Sequence, residues 1–372
     1  MRVVLAPDKF KGCLTAAEVA SAVADGISDV RSDAEMMMLP VADGGDGTVA
    51  AALTAGYAKV VVDAVGPTGQ PAQAPYALDG HRAVVELAAV VGLDLLPGGQ
   101  RFPLTASTYG LGLVIKDAIE HGASQIVLGL GGSASTDGGA GMVQALGARL
   151  LDESGEELGH GGGVLSGVAT LDLEPLRARL GSAKIIVATD VDNPLLGPDG
   201  AAAIFGPQKG AEDVDLAILE RGLKHWSEVV AETTGADRSA VPGAGSAGGA
   251  GFGAVALLGA EIRPGIELIL EMIDFDQRLA GAGLVITGEG SLDEQSLSGK
   301  APIGVSRAAQ RAGIRVVAVA GRSLLSSERL AEAGISAAYP LSDLEPDVER
   351  SIANAAPLLR QVGSRIAREW LG

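Results

Sequence analysis

Strand and helix patterns alternate at both ends of this chain, and this split arrangement limits the folds that it can adopt. Short apolar strands separated by helices are typical of a doubly wound parallel sheet. Between two of the predicted strands, Thr15 and Glu18 are spaced as a helix N-terminal capping box. A long closing helix is predicted from about residue 347. Five short apolar segments are the predicted strands: residues 2–6, 36–40, 284–287, 316–320 and 337–341.

The segment between these ends has a different pattern. From about residue 59 it begins with alternating runs joined by Gly and Pro turns, which is typical of an antiparallel or mixed sheet. We therefore predict an α/β protein in which a flavodoxin-like domain, residues 1–60 plus 281–372, is interrupted by a large inserted α/β domain with a mixed sheet, residues 61–280. The functional site is expected in the cleft between the two domains.

The composition excludes several classes of partner. A formal net charge of −18 disfavours nucleic acid and anionic membranes, because no basic block is present to displace counterions. No apolar run approaches the roughly 18 to 20 residues that a membrane-spanning helix needs. The only cysteine, Cys13, has no partner for an internal disulfide, and the chain starts with a strand pattern, so a cytoplasmic location is predicted. The sequence leaves a monomer and a homodimer equally open.

A loop of very small residues, GLGGSASTDGGAG at 129–141, follows the apolar strand QIVLGL and precedes a predicted helix. Glycines at such a turn let backbone N–H groups approach a ligand, and a helix start favours negative charge, so the first hypothesis is a phosphate site. The loop lacks the lysine that would complete a P-loop. The pattern alone does not decide between a ligand and a structural role.

Polar residues follow the predicted strands, at the positions where ligands bind in parallel sheets. Carboxylates beside glycine loops and a few lysines suit Mg²⁺ with a polyphosphate. Each also has a structural alternative: Asp43 could cap the next helix, Asp190 could belong to an Asx-Pro turn, and the lysines could be solvated surface charges. The polar residues at strand ends are Asp8, Lys9, Lys11, Asp43, Asp46, Asp137, Asp190, Asp192, Asn193, Glu289, Asp293 and Lys300.

Eight motifs, in order along nearly the whole chain, resemble the glycerate kinase family of the bacterial two-domain type. Cys13 is a small departure, since serine is expected there. The matching motifs are APDKFKGCLTA (6–16), PVADGGDGT (40–48), STYGLG (107–112), GLGGSASTDGGAG (129–141), ATDVDNPLLG (188–197), FGPQKGA (205–211), PGAGSAGGAGFG (242–253) and TGEGSLDEQSLSGKAP (287–302).

The resemblance implies ATP-dependent phosphorylation of D-glycerate with Mg²⁺, giving 2-phosphoglycerate by preference and 3-phosphoglycerate as the other product. Phosphoryl transfer needs alignment and charge neutralisation, so Lys11 and Lys300 are catalytic candidates for binding the γ-phosphate and the glycerate carboxylate. Asp190 is the candidate proton acceptor, with Asp43 and Glu289 as alternatives. The remaining candidates are Gly131, Gly132, Ser133, Asp137 and Lys209 for the nucleotide, Asp8, Lys9 and Asp293 for the substrate, and Asp43, Asp46 and Glu289 for the metal.

Other classes of protein remain as alternatives. Another hydroxy-acid kinase or a GHMP-type kinase would also use a Gly/Ser-rich loop before a helix. A dinucleotide-dependent oxidoreductase would need G-x-G-x-x-G after the first strand, where this chain has PDKFKG. A protein that only binds a ligand would not need so many carboxylates at strand ends.

Overall fold

The computed structural model describes residues 1–372, apart from the side chain of Ser298. Its chain divides into two compact units. Unit 1 comprises Met1–Asp43, Ala50–Ala55 and Pro264–Gly372, and unit 2 comprises Gly44–Val49 and Gly56–Arg263. The domain boundaries at residues 60 and 280 stay a prediction.

The N-terminal elements follow the predicted order. The capping box at the start of the first helix is confirmed: the Thr15 hydroxyl accepts a hydrogen bond from the Glu18 amide at 3.2 Å, and the Glu18 carboxylate accepts one from the Thr15 amide at 2.8 Å. These two bonds satisfy amides that the helix itself leaves unpaired. The elements are β1 (Arg2–Pro7), α1 (Ala16–Ser28), β2 (Glu35–Met38) and α2 (Thr48–Ala55).

The middle of the chain forms a six-stranded sheet and a small two-stranded antiparallel sheet. Its strands are β3 (Ala58–Val65), β4 (Pro71–Asp79), β5 (Arg82–Glu86), β6 (Gln125–Gly129), β7 (Arg149–Leu151), β8 (Thr170–Asp172), β9 (Lys184–Ala188) and β10 (Glu261–Arg263). Its α-helices are α3 (Ala88–Val91), α4 (Tyr109–Glu120), α5 (Ala140–Ala145), α6 (Glu174–Leu180), α7 (Ala201–Phe205), α8 (Asp213–Thr234) and α9 (Ser246–Leu257).

The six-stranded sheet has the order β10-β9-β6-β5-β4-β3. Its first four strands pair in parallel, whereas β4 pairs antiparallel with both β5 and β3. The predicted mixed sheet is therefore confirmed. The sheet has one carboxyl edge where β5, β6, β9 and β10 all end.

The C-terminal elements complete the sheet of unit 1. They are α10 (Gly265–Met272), α11 (Phe275–Arg278), β11 (Ala282–Leu292), α12 (Ala301–Arg311), β12 (Arg315–Ser323), α13 (Ser327–Glu332), β13 (Ala337–Pro340), α14 (Val348–Ala353) and α15 (Ala355–Trp370). The single closing helix predicted from residue 347 is wrong, because Asn354 leaves helical geometry between α14 and α15. Pro357 has no N–H to donate to the carbonyl of Ala353, which removes the bond that would continue one helix into the other.

The sheet of unit 1 is fully parallel and has the order β13-β12-β11-β1-β2. Numbered by their order in this sheet alone, the strands run 2-1-3-4-5, which is the flavodoxin-like order. The predicted fold class is therefore confirmed. The C-terminal ends of β1 and β11, where the ligand-binding loops of such sheets lie, are neighbours in this order.

Two glycines let the first and last helices of unit 1 pack closely. A Cβ atom on Gly26 would lie 1.9 Å from the Arg360 carbonyl oxygen, and one on Gly363 would lie 2.2 Å from that of Val23. Such contacts require direct backbone approach, so α15 is held against α1 over the core of the parallel sheet. Among the described residues, no helix is both long enough and apolar enough to cross a bilayer.

Candidate active site

Asp8 and Glu289 are neighbours at the carboxyl edge of the parallel sheet in unit 1. Pro7 of β1 pairs with Gly288 of β11, so that Asp8 follows Pro7 and Glu289 follows Gly288. The Asp8 amide donates a 2.8 Å hydrogen bond to the Gly288 carbonyl. Both side chains are buried, with 7% and 8% of their surface exposed. The parallel pairing of β1 with β11 therefore places two carboxyl groups from distant parts of the sequence side by side.

The environment of these two groups disfavours their charged forms. The pKa of Asp8 is raised to about 7, mainly by burial, with the charges of Asp43 and Glu289 acting in the same direction and the charge of Lys9 opposing them. Burial also raises the pKa of Glu289, while a hydrogen bond from Ser296 and the charge of Lys300 lower it. Mutual repulsion among buried carboxylates is relieved by a proton or a bound cation.

One oxygen of the Glu289 carboxylate is available to a ligand. Its Oε1 atom is buried and has no hydrogen-bond partner among the described residues. A buried acceptor without a partner is costly, which makes a ligand at this oxygen energetically favourable. An oxygen donor of this kind suits a hydroxyl group or Mg²⁺.

The lysines after β1 lie in a short turn. Phe10 and Leu14 exchange backbone hydrogen bonds at 2.8 and 3.0 Å, which closes a tight turn around Lys11 and Gly12. Gly12 has a φ of 71°, a conformation that glycine adopts at little cost. The turn exposes the Lys11 side chain, while Lys9 is half-buried with its ammonium 4.0 Å from the Asp8 carboxylate.

Asp293 and Lys300 lie in the loop after β11, but they differ in how they are held. The Asp293 carboxylate accepts hydrogen bonds from the amides of Gln295 and Ser296, at 3.0 and 3.3 Å, so it stabilises the loop. Lys300 is half-buried at the start of α12, and its positive charge acts on Glu289. Charged side chains therefore interact with one another at this edge of the sheet. They are Asp8, Lys9, Asp43, Glu289, Asp293 and Lys300.

The loop of residues 129–141 in unit 2 is mostly internal. Asp137 is completely buried, and its carboxylate accepts hydrogen bonds from Ser107, from both the amide and the hydroxyl of Thr108, and from the amides of Gly139 and Gly141. The Ser133 hydroxyl is buried too and contacts the carbonyls of Ser135 and Ala247. Within this loop, only Gly131, which is half-buried, and Gly132, which is exposed, are accessible from outside.

The glycines of this loop are explained in large part by backbone packing within unit 2. A Cβ atom on Gly139 of the loop would lie 3.0 Å from the Cα of Gly253. In the facing segment, a Cβ atom on Gly248 would lie 2.1 Å from the Ser135 carbonyl oxygen, and one on Gly253 would lie 2.9 Å from that of Gly138. Gly138 also donates a 3.0 Å backbone hydrogen bond to Gly248. Two glycine-rich segments, 129–141 and 243–253, therefore pack with no space for side chains between them.

Lys209 lies beneath the same loop. It is 2% exposed, and its ammonium group donates a hydrogen bond to the Ser135 carbonyl. Burial lowers the pKa of Lys209 to about 7, against the opposing charge of Asp137. As a nucleotide ligand Lys209 stays a prediction, and its visible role is to bind the loop from the inside.

The segment after Asp43 ends at the carboxyl edge of the mixed sheet, and a residue that the sequence did not indicate holds it there. The Glu86 carboxylate accepts hydrogen bonds from the amides of Gly47 and Val49, at 3.2 and 3.1 Å, and it shares a hydrogen bond with Asp46. Burial raises the pKa of Glu86 to about 7. Nothing in the local pattern of β5 distinguishes Glu86, because its partners lie nearly forty positions away in the sequence.

Asp190 follows β9 after Thr189 and has an exposed side chain.

Among the described residues, no three His, Cys, Asp or Glu side chains are arranged as a complete metal site. Mg²⁺ is commonly held by one or two carboxylates together with phosphate oxygens. Glu289, with its unpaired oxygen, and Asp43, whose charge acts on it, have the donor chemistry that Mg²⁺ prefers.

Comparison with known proteins identifies the family. Residues 3–371 match the family model described as the glycerate kinase family. The chain belongs to the glycerate kinase family. The resemblance seen in the sequence motifs is therefore confirmed.

Relatives in this family match the chain over most of its length. A glycerate kinase from Halalkalibacterium halodurans is 43% identical over 98% of this chain and 97% of its own. A glycerate 2-kinase from Escherichia coli (strain K12) is 44% identical over 86% of this chain and 85% of its own. A solved structure assigned as glycerate kinase 2 from Salmonella typhimurium LT2 has a TM-score of 0.85 and 39% identity, covering 99% of this chain and 97% of its own.

Proposed function

We propose that this protein transfers the γ-phosphoryl group of ATP to the 2-hydroxyl of D-glycerate. Membership of the glycerate kinase family, matched over residues 3–371, is the observation that carries the proposal. The relative named glycerate 2-kinase supports the 2-position over the 3-position. ATP as the donor follows from the kinase chemistry of the family, whereas the cytoplasmic location and a monomeric or dimeric state stay predictions.

Local positive charge supports binding of two anionic substrates by a protein of net charge −18. In this proposal, Lys11 and Lys300 neutralise the γ-phosphate and the glycerate carboxylate. Lys11 is suited to a ligand because its side chain is exposed on a fixed turn. We also propose that Asp8 and Lys9, which lie in the same unit as Lys300 and Glu289, orient the glycerate. Asp293 would stabilise the loop between β11 and α12.

A carboxylate must accept the proton of the attacking hydroxyl, and Asp190 is our proposal for this role. Its exposed side chain after β9 is compatible with contact to a small substrate. Glu289 and Asp43 remain the alternatives, and burial raises the pKa of Glu289, which makes this carboxylate a stronger proton acceptor.

Magnesium is proposed as the working metal, held by Asp43 and Glu289 together with phosphate oxygens. When bound, Mg²⁺ would neutralise the charge that develops on the transferred phosphoryl group. The buried, unpaired Oε1 atom of Glu289 supports this assignment. Asp46, which shares a hydrogen bond with Glu86, is the third residue proposed for the metal.

In the loop of residues 129–141, we propose that the backbone amides of Gly131 and Gly132 contact the nucleotide phosphates. They are the accessible part of the loop, and glycine permits close approach of a phosphate to the backbone. Ser133, Asp137 and Lys209 would then act by keeping the loop in shape from within.

An assay of ADP release over a set of small hydroxy acids tests the proposal. D-Glycerate should give the highest kcat/KM, well above L-glycerate, glycolate and tartronate. Strong ADP release with another acid and none with D-glycerate would replace glycerate by that acid as the substrate. No ADP release with any acid would contradict the proposed kinase activity.

A further inference from the structure

The carboxyl edge of the mixed sheet in unit 2 is covered by a piece of the same chain. Glu86, Gly129 and Ala188 are the last residues of β5, β6 and β9, and the parallel pairing aligns all three in one row. This is the edge at which open α/β sheets bind ligands. In this protein the segment 44–49 lies on that row.

Each residue of the row contacts the segment. A Cβ atom on Gly129 would lie 2.7 Å from the Gly44 carbonyl oxygen, and one on Gly44 would lie 2.8 Å from the Ala188 carbonyl oxygen. Backbone therefore meets backbone at β6 and β9. At β5 the contact is made by a side chain, because the Glu86 carboxylate accepts the amides of Gly47 and Val49.

The three contacts restrain the segment 44–49 in different ways. Packing against glycines limits how near the segment comes, but it does not set the direction of its peptide groups. Two hydrogen bonds from Gly47 and Val49 to one buried carboxylate do set that direction, and they occupy N–H groups at the start of α2. Glu86 also shares a hydrogen bond with Asp46, and this bond restrains the exposed Asp46 side chain.

We propose that Glu86 is a positioning residue for the kinase reaction: it fixes the segment 44–49 on the sheet edge and thereby orients the acidic loop that contains Asp43 and Asp46. Glu86 itself touches neither substrate nor metal in this account. The inference rests on the proposed function for its effect on turnover. Its structural part, the fixing of the segment, is independent of any substrate.

The test compares Glu86→Gln with Glu86→Leu. Glutamine keeps a carbonyl oxygen for the amides of Gly47 and Val49 and supplies N–H donors toward Asp46, so it reproduces the network. Leucine is of similar size and removes every acceptor. The control is Asp117→Asn, which alters a half-buried carboxylate of the same unit that bonds to the Tyr76 hydroxyl at 2.9 Å and not to the segment.

Hydrogen exchange of the ligand-free protein is the first measurement. In Glu86→Leu, the amides of Gly47 and Val49 should exchange at least about tenfold faster than in the unchanged protein, as expected when hydrogen bonds are lost. Glu86→Gln and Asp117→Asn should leave them within about twofold. Unchanged exchange in Glu86→Leu would overturn the proposal whether or not the protein phosphorylates glycerate.

Steady-state kinetics is the second measurement. Glu86→Leu should lower kcat about tenfold or more, while the KM for glycerate changes less, and Glu86→Gln should retain most of the turnover. Faster exchange with unchanged kcat would show that Glu86 has only a structural role, and this would overturn the positioning role while leaving the proposed function intact. Loss of turnover in Glu86→Gln equal to that in Glu86→Leu would also contradict the account, because glutamine preserves the hydrogen bonds.

Discussion

The ammonium group of Lys209 donates a hydrogen bond to the carbonyl oxygen of Ser135 from a position that is 98% shielded from solvent. A lysine buried in this way is most costly in its charged form. Burial lowers its pKa to about 7, whereas in the unfolded chain it keeps the ordinary value of 10.5. Its charge state in the folded protein therefore changes within an experimentally accessible range of pH.

The first prediction concerns this lysine. Between pH 7 and 10.5 the unfolded chain binds more protons than the folded one, so the contribution of Lys209 to stability rises with pH through this range. Relative to Lys209→Met, the free energy of unfolding of the unchanged protein should increase by at most about 1.4 kcal/mol per pH unit from pH 7 to 9. Urea unfolding followed by tryptophan fluorescence, to which the buried Trp226 contributes, measures it. A difference that does not vary with pH would contradict the prediction.

The second prediction tests the packing of the two glycine segments. Gly253→Ala places a Cβ 2.9 Å from both the Gly138 carbonyl oxygen and the Gly139 Cα, so it should lower the free energy of unfolding by about 1–3 kcal/mol, although alanine normally favours a helix. Gly159→Ala is the matched control, because nothing lies within 4 Å of its added Cβ. Thermal melts of both variants decide it, and equal melting temperatures would refute the packing argument.

The third prediction concerns Lys11. Since its side chain is exposed at the tip of a turn, Lys11→Met should leave the melting temperature within about 2 °C and lower kcat/KM by tenfold or more through loss of charge neutralisation. Lys59→Met, at another exposed lysine, controls for the change in net charge and should keep full activity. A fall in melting temperature without a specific kinetic loss would assign Lys11 a structural role.

The fourth prediction concerns the proton acceptor. Asp190→Asn keeps the shape of the side chain and removes its basicity, so kcat should fall by roughly 10² or more if Asp190 is the base. A titration with Mg²⁺ distinguishes the two roles open to this carboxylate, because added metal should partly restore a weakened metal site and should not restore a missing base. Near-normal kcat at ordinary Mg²⁺ would exclude both and transfer the role to Asp43 or Glu289.

The sequence predicted those features that depend on neighbours along the chain. Apolar strand segments, the Thr15 and Glu18 capping box and the parallel sheet of unit 1 follow from local periodicity and helix-start signals, and the structure has them. The break at Asn354 was missed because the amphipathic pattern continues across it, although Pro357 carried the signal.

The packing of the loop 129–141 depends on residues that are distant in the sequence. The composition of this loop leaves a ligand role and a structural role open, and the glycines that its backbone packs against, Gly248 and Gly253, lie more than a hundred positions further along the chain. Glu86 was missed for the same reason, because its role depends on amides at Gly47 and Val49 that only the fold brings to it. A single sequence contains no local signal for either relationship.

Phosphorus-31 NMR of the reaction product shows whether glycerate is phosphorylated and on which hydroxyl group. D-Glycerate, ATP and Mg²⁺ are incubated with the protein, and the new phosphate ester is observed with proton coupling. We expect 2-phosphoglycerate, whose phosphorus couples to the single proton on C2 and appears as a doublet. A triplet from the two protons on C3, which marks 3-phosphoglycerate, would contradict the proposed position of transfer, and the absence of any new ester would contradict the proposed reaction.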